Sequence, residues 1–293
     1  MGLPDPPEPS VAPARAATVL ELGPHRFDIS SRAVVMGILN RTPDSFYDKG
    51  SYWAFDDFLA KAEGLVEQGA DFLDVGGVKA GPGDFVSEDE ELERVVPAVE
   101  ALHARFGLPL SVDTWRASVA GACFTAGAVV GNDISGFGDP DYLRVAAAAG
   151  ASVVATHIRL APRVPDPDPQ YDDVVTDVRA FLADRAQQAE AAGIAAERVM
   201  VDAGLDLGKS EPQSLTLLRH SDTLVDLGYP VFLSASNKRF LWKLLDVDVA
   251  HAANGTVAAH TLGIALGCRV LRSHDVRGAR RVADVMAAIL EAA

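Results

Sequence analysis

Cysteine is nearly absent: the 293 residues hold only Cys123 and Cys268, far apart and without His or Cys neighbours at ligand spacing. That excludes a disulfide framework and a thiolate metal site, and it fits a reducing cytoplasm. Long apolar runs are missing too, so no segment reads as a membrane span. Basic residues are outnumbered, 26 Lys and Arg against 41 Asp and Glu, giving a formal net charge of −15. Nucleic acid and an anionic membrane surface are therefore poor partners, although a local cationic pocket for a phosphate-bearing ligand stays open. The first sixteen residues lack the basic-then-apolar order of a signal peptide. Rich in Pro and Ala, residues 1–16 read as a disordered leader, and 17–293 as a single domain.

What is present is a rhythm. After a short hairpin around Gly23 and Pro24, apolar runs ending in Asp, Asn or Gly alternate with longer amphipathic stretches. The strand candidates are residues 33–39, 71–76, 109–113, 128–133, 152–157, 198–202, 230–235 and 268–274, which makes eight. Helical spacing fills the gaps, as in the stripe at positions 55, 58, 59, 62, 65 and 66 and in the stretches 88–106 and 174–192. Gly69, Gly127, Gly150 and Gly193 stand where helices should end. Eight nearly all-apolar strands separated by helices predict an α/β fold, a (β/α)8 TIM barrel with a short N-terminal hairpin. A doubly wound open sheet is the alternative, and no Gly-rich dinucleotide fingerprint follows the first strand to support it. The Pro- and Asp-rich segment 160–173 is long for a barrel loop and reads equally as a lid or as a tolerated surface insertion.

In such a barrel the chemistry sits at the C-terminal strand ends. Those positions hold Asn40, Asp74, Asp113, Asn132, Asp133, His157, Asp202, Ser236, Lys238, Arg272 and His274. One such residue alone would be a loop cap; their recurrence around one rim predicts a ligand site. Asp113, Asn132 and Asp202 suit a flat, nitrogen-rich heterocycle, and Lys238 suits a ring carbonyl or nitrogen. Arg272 and His274, two apart on one strand, suit phosphate oxygens; the bland alternative is a pair of rim charges bonded to neighbouring carboxylates. Asn40 offers a neutral oxygen to a Mg²⁺ ion that leans on phosphates.

These residues lie in segments that resemble the dihydropteroate synthase family. MGILNRTPDSFYDKG (36–50) resembles its first signature, and DFLDVGGVKAGPG (71–83) the frame of its second. SVDTWRASVA (111–120), VGNDISG (130–136), VDAGLDLGKS (201–210), SASNKRF (234–240) and RSHDV (272–276) follow in order, and the likeness runs from about residue 19 to the end. The resemblance implies a TIM barrel, usually dimeric. It also implies condensation of 4-aminobenzoate with 6-hydroxymethyl-7,8-dihydropterin diphosphate, aided by Mg²⁺, in folate synthesis. Asp113, Asn132, Asp202 and Lys238 match the family's pterin-holding residues; Asn40, Arg272 and His274 match those that hold metal and diphosphate.

The second signature is broken. Val78, Lys79, Ala80 and Gly81 stand where the family pattern has Glu, Ser, Thr and Arg. Its Thr and Arg help hold diphosphate and aminobenzoate, which Ala and Gly side chains cannot do, and Lys79 lacks the planar fork of Arg. Arg41, Tyr47 and Lys49 depart from the first loop, Thr156 from the fifth strand, Ala203, Asp206 and Leu207 from the sixth, and Ser234, Asn237 and Arg239 from the seventh. Nearly all the losses fall on the aminobenzoate side and the mobile loops, so the resemblance implies a degenerate second-copy homologue with little or no synthase activity. It would still bind a pterin-like molecule, and sulfone or sulfonamide drugs weakly. An active transferase on a different amine or a modified pterin diphosphate, and a non-enzymatic partner protein, are the competing expectations.

Overall fold

The computed structural model describes residues 16–41, 52–81 and 83–292, so residues 1–15 of the expected leader and the first-loop positions Tyr47 and Lys49 lie outside the described residues. Two short antiparallel strands, β1 (Val19–Leu22) and β2 (His25–Asp28), form the hairpin. Eight parallel strands then close into a barrel: β3 (Val34–Asn40), β4 (Phe72–Gly76), β5 (Leu110–Asp113), β6 (Val130–Asp133), β7 (Ser152–Thr156), β8 (Val199–Asp202), β9 (Val231–Leu233) and β10 (Val270–Ser273). They run in sequence order around the ring, with β10 pairing back onto β3. The eight-stranded expectation holds, and the open-sheet alternative does not.

Helices α1 (Tyr52–Glu67), α2 (Glu88–Arg105), α3 (Ala117–Thr125), α4 (Tyr142–Ala148) and α5 (Val174–Ala191) follow the first five barrel strands. Then come α6 (Glu211–Arg219), α7 (Ser221–Val225), α8 (Arg239–Leu244), α9 (Ala253–Ala265) and α10 (Val276–Glu291). Local chemistry sets their ends. Ser87 caps α2 by accepting the Glu90 amide at 3.1 Å, and Glu88, Asp89, Glu90 and Glu91 place negative charge at the positive end of that helix dipole. Ser210 and Gln213 form a reciprocal capping box at the start of α6. The four expected terminal glycines all adopt positive φ, from 63° at Gly150 to 114° at Gly127.

Period-two alternation divides the strands into two faces. Val35, Leu39, Leu73, Val75, Val112, Val153, Val201 and Leu271 face the helices and belong to the main core. Val34, Met36, Phe72, Val130, Val154, Met200, Phe232 and Val270 point inward near the strand starts. There they pack with Leu20, Leu22 and Ile29 of the hairpin region, all fully buried. Each buried Leu of that plug contributes roughly 1.5–3 kcal/mol of burial energy. The hairpin thus stoppers the barrel bottom, a role its sequence did not disclose. The open end is the other one.

Candidate functional site

Two residues beyond six of these inward apolar side chains, the same alternation places a polar one. Asp74 follows Phe72, Asn132 follows Val130, Thr156 follows Val154, Asp202 follows Met200, Ser234 follows Phe232, and Arg272 follows Val270. The strand pairing then aligns them. Asn40, Gly76, Asp113 and Asn132 form one row across β3 to β6, and Thr156, Asp202 and Phe232 form another across β7 to β9. The barrel interior is therefore an apolar floor under a polar ceiling, and the ceiling opens upward.

A cavity of about 40 Å³ sits at this ceiling. Asp113, Asn132, Asp202, Lys238 and Arg272 all line it, with Ala80, Ile134, Thr156, Leu207, Phe232 and Ser234. Asn40 and His274 are not among its described lining residues; they stand at the rim. Asn40 Oδ1 lies against Gly76, where a Cβ would meet it at 3.3 Å and the Asp113 Cβ at 3.5 Å. Any side chain at position 76 would therefore wedge between these two groups.

Asp74 organises the floor of the site. Fully buried, its carboxylate accepts the Ser111 hydroxyl at 2.7 Å, the Asn132 amide at 3.2 and 3.4 Å, and Arg272 Nε at 2.8 Å. Arg272 reaches on with Nη2 to Asp113 at 2.9 Å. The arginine is thus paired with carboxylates, as the bland alternative had it, yet only two of its five N–H groups are spent, and Nη1 is untouched by these bonds. Asn132 donates its amide downward, which leaves Oδ1 as the atom offered to the cavity.

Charge in the pocket is nearly balanced. Burial pushes the Asp113 carboxyl up to about 7, with Asp74 and Glu91 adding to the rise against Arg272 and Lys238. Asp202 is raised by burial despite accepting the Gly204 amide at 2.8 Å, while Lys238 is lowered, again chiefly by burial. At the rim, Ser236 Oγ accepts the His274 backbone amide at 3.1 Å and lies 3.1 Å from His274 Nδ1. With the hydroxyl donating to Nδ1, the ring carries its proton on Nε2, the donor left for an anion.

Two strand-end residues serve the scaffold instead. Asp133 turns away from the cavity and accepts the amides of Ser135 at 2.6 Å and Phe137 at 2.9 Å, a loop cap. His157 packs edge-on to Phe181 at 4.8 Å and meets Lys209 Nζ at 2.8 Å through Nδ1. Lys209 also donates to the carbonyls of His157 at 3.0 Å and Leu207 at 2.9 Å, so all three ammonium hydrogens are used. Burial lowers this lysine to about 7. It ties the loop after β8 to the end of β7.

The segment 78–81, where the sequence departs from the expected second signature, faces the site. Val78 is buried, Ala80 lines the inner cavity, and Ala80 and Gly81 both border a second, wider cavity of about 770 Å³. Segment 160–169 walls that outer space. Arg159 grips Asp166 at 2.5 and 2.6 Å, and Gln213 Nε2 donates to the Pro169 carbonyl at 3.0 Å. Tyr171 Oη donates to the Gly208 carbonyl at 2.7 Å. Arg41, a departure in the first loop, stacks over Phe55 at 4.7 Å and donates to the Arg94 carbonyl at 3.0 Å, so it braces α1 against α2. Among the described residues no cluster of His, Cys, Asp and Glu forms a metal cage, and no helix is long and apolar enough to cross a membrane.

Comparison with known proteins gives this geometry relatives. Residues 36–274 match the family model described as pterin binding enzyme. The "Inactive dihydropteroate synthase 2" of Mycobacterium leprae (strain TN) is 44% identical over 266 residues, covering 89% of this chain and 91% of the relative. The "Dihydropteroate synthase" of Bacillus subtilis (strain 168) is 38% identical over 274 residues, covering 93% and 94%. Among solved structures, the Xanthomonas albilineans dihydropteroate synthase with 4-aminobenzoic acid superposes with a TM-score of 0.86 at 37% identity, over 94% of this chain and all of that one. The Yersinia pestis dihydropteroate synthase with a sulfonamide drug complex gives 0.87 at 36% identity, with the same coverage.

Proposed function

Because the chain belongs to the dihydropteroate synthase family of pterin binding enzymes, we propose that it binds a pterin diphosphate but condenses it with 4-aminobenzoate little or not at all. One observation carries this: the pterin-matching residues Asp113, Asn132, Asp202 and Lys238 converge on one cavity, whereas the described residues of the loop above it present only Ala80 and Gly81 to the two cavities. The family reaction needs positioning of the amine and charge stabilisation on the departing diphosphate. Aliphatic methyl and hydrogen supply neither. The inactive name borne by the Mycobacterium leprae relative supports the same reading.

Within this proposal the carboxylates and the Asn132 carbonyl accept the ring N–H donors, and Lys238 donates to the ring oxygen or nitrogen. Arg272 Nη1 and His274 Nε2 meet the diphosphate. Asn40 is one hard oxygen and not a cage, so it fits a Mg²⁺ ion that takes its other ligands from water and from the diphosphate, whose charge that ion would neutralise. A sulfonamide, as in the Yersinia pestis structure, would enter the outer cavity with low affinity, since no Thr or Arg of the second loop grips it. An active transferase on another amine is the second reading, favoured by the size of that cavity.

Calorimetric titration with 6-hydroxymethyl-7,8-dihydropterin diphosphate tests the first half: saturable one-to-one binding is expected, and no heat at millimolar ligand would contradict it. The pH profile gives a sharper signature. An ionised Asp113 is the stronger acceptor for a ring N–H, and burial pushes its carboxyl up to about 7. Affinity for 6-hydroxymethylpterin should therefore weaken from pH 8 to pH 6, by up to about tenfold. Asp113→Asn should flatten that slope.

The fold class also bears on assembly. Val257 and Leu262 on α9, and Val285, Ile289 and Leu290 on α10, are exposed apolar residues on two helices that pack together. We propose that this face joins two copies of the chain. Light scattering should give twice the 30.9 kDa chain mass, and Leu262→Glu with Ile289→Glu should return it to the monomer value.

A further inference from the structure

The second loop is pinned at both feet. At its entrance Arg94 Nη1 donates to the Gly77 carbonyl at 2.7 Å. At its exit Arg116 donates to the Val86 carbonyl through Nη2 at 2.8 Å and to that of Ser87 through Nη1 at 3.4 Å. The same guanidinium meets Glu91 Oε2 on α2. Glu91 is fully buried, and its other oxygen, Oε1, is sealed in with no hydrogen-bond partner among the described residues. A buried acceptor left unsatisfied destabilises the fold. Arg116 is also misplaced by local rules. It is the N-cap residue of α3 and makes no side-chain cap bond, at a helix end whose dipole favours an acceptor or an anion over a cation. Asp139 supplies that acceptor instead, taking the Ala117 amide at 2.9 Å. Two local conflicts in one contact point to a task other than stability.

The position of Arg116 supplies the task. It lies three residues beyond Asp113. The link between them is braced, since the Thr114 amide donates to the Asn132 carbonyl at 3.1 Å and the Arg116 amide to Thr114 Oγ1 at 3.3 Å. One side chain therefore ties the strand end that carries Asp113 to the exit of the loop that carries Ala80 over the inner cavity. The charges that face Asp113 include Glu91 itself. Burial raises the Asp113 carboxyl, Arg272 pulls it down, Asp74 and Glu91 push it up, and Lys238 opposes them. Neither Glu91 nor Arg116 lines either cavity, so both act through other groups. Building on the pterin-pocket reading, we propose that Glu91 and Arg116 are a positioning pair for that site: Glu91 aims the guanidinium, and Arg116 holds the second-loop exit in register with Asp113.

The test uses the full chain with 6-hydroxymethylpterin as the probe. Arg116→Gln should bind it at least about fivefold more weakly at pH 8. Amide exchange at positions 90 and 91, which are bonded to Ser87 Oγ and the Ser87 carbonyl, should quicken about tenfold, while α5 stays as protected as in the wild type. Arg116→Lys, which can still meet Glu91 and one carbonyl, should bind within about threefold of the wild type. Glu91→Gln keeps the shape and removes a charge that opposes ionisation of Asp113. The ratio of its affinities at pH 8 and pH 6 should be at most about half the wild-type ratio, a change that a plain helix anchor would not produce. Faster exchange with affinity and pH dependence unchanged would make the pair such an anchor and overturn the proposal, as would variants that match the wild type throughout. Should Arg116→Gln not fold, the Glu91→Gln ratio decides alone. A wild type that binds no pterin would overturn the pocket reading itself, and this proposal with it.

Discussion

Asp74→Ala should cost about 3–5 kcal/mol of stability, because it removes the shared acceptor of three buried groups at once. Ser111, the Asn132 amide and Arg272 Nε all lose their partner, and Arg272 keeps only Asp113. For a domain of this size that corresponds to a fall in melting temperature of roughly 6–15 °C, read by calorimetry. Pterin affinity should fall with it, since Asn132 and Arg272 are aimed by the missing carboxylate. Asp74→Asn separates the two effects. It preserves shape and one acceptor, so it should recover part of the stability while leaving Arg272 less well oriented. A melting temperature unchanged by Asp74→Ala would mean that the buried network does not hold the site.

Dihydropteroate formation from pterin diphosphate and 4-aminobenzoate should run about four to six orders of magnitude below an ordinary synthase. One missing preorganised contact costs about two to three orders in rate, and here position 80 offers only a methyl group and position 81 only hydrogen. The arylamine side is altered as well, with exposed Arg239 bordering the outer cavity. Restoring Ala80→Thr and Gly81→Arg together should raise the rate at least tenfold without changing pterin affinity. Full recovery is not expected, because Leu207 and Ser234 also reshape the inner cavity. A product assay with radiolabelled 4-aminobenzoate measures both rates. A wild-type rate at the ordinary level would show that the second loop is dispensable.

Much of this was legible in the chain before folding. The eight strands are each apolar enough to be recognised, and the polar residues at six of their ends mark the open end of the barrel. Asp113, Asn132 and Asp202 follow from alternation alone, since each lies at an inward position two steps beyond another inward residue. Segment 160–173 could not be resolved between lid and insertion, because its role depends on contacts with Gly208 and Gln213 that no local pattern encodes. The pairing of Arg272 with Asp74 was hidden for a similar reason. The two residues stand 198 positions apart, and only closure of β10 onto β3, with β4 alongside, brings them together. His157 misleads in the opposite sense: its strand-end position suggests a ligand role, but burial against Phe181 and the bond to Lys209 absorb it.

Binding without ordinary condensation is the central claim, and one preparation can decide it. The chain is first titrated with 6-hydroxymethyl-7,8-dihydropterin diphosphate, so that the fraction of pterin-competent sites is known. Excess 4-aminobenzoate and Mg²⁺ are then added, and dihydropteroate is counted per competent site. The structure predicts near-full pterin occupancy with far less than one product per site over an hour. Rapid multiple turnovers, or a preparation that never binds the pterin, would contradict it.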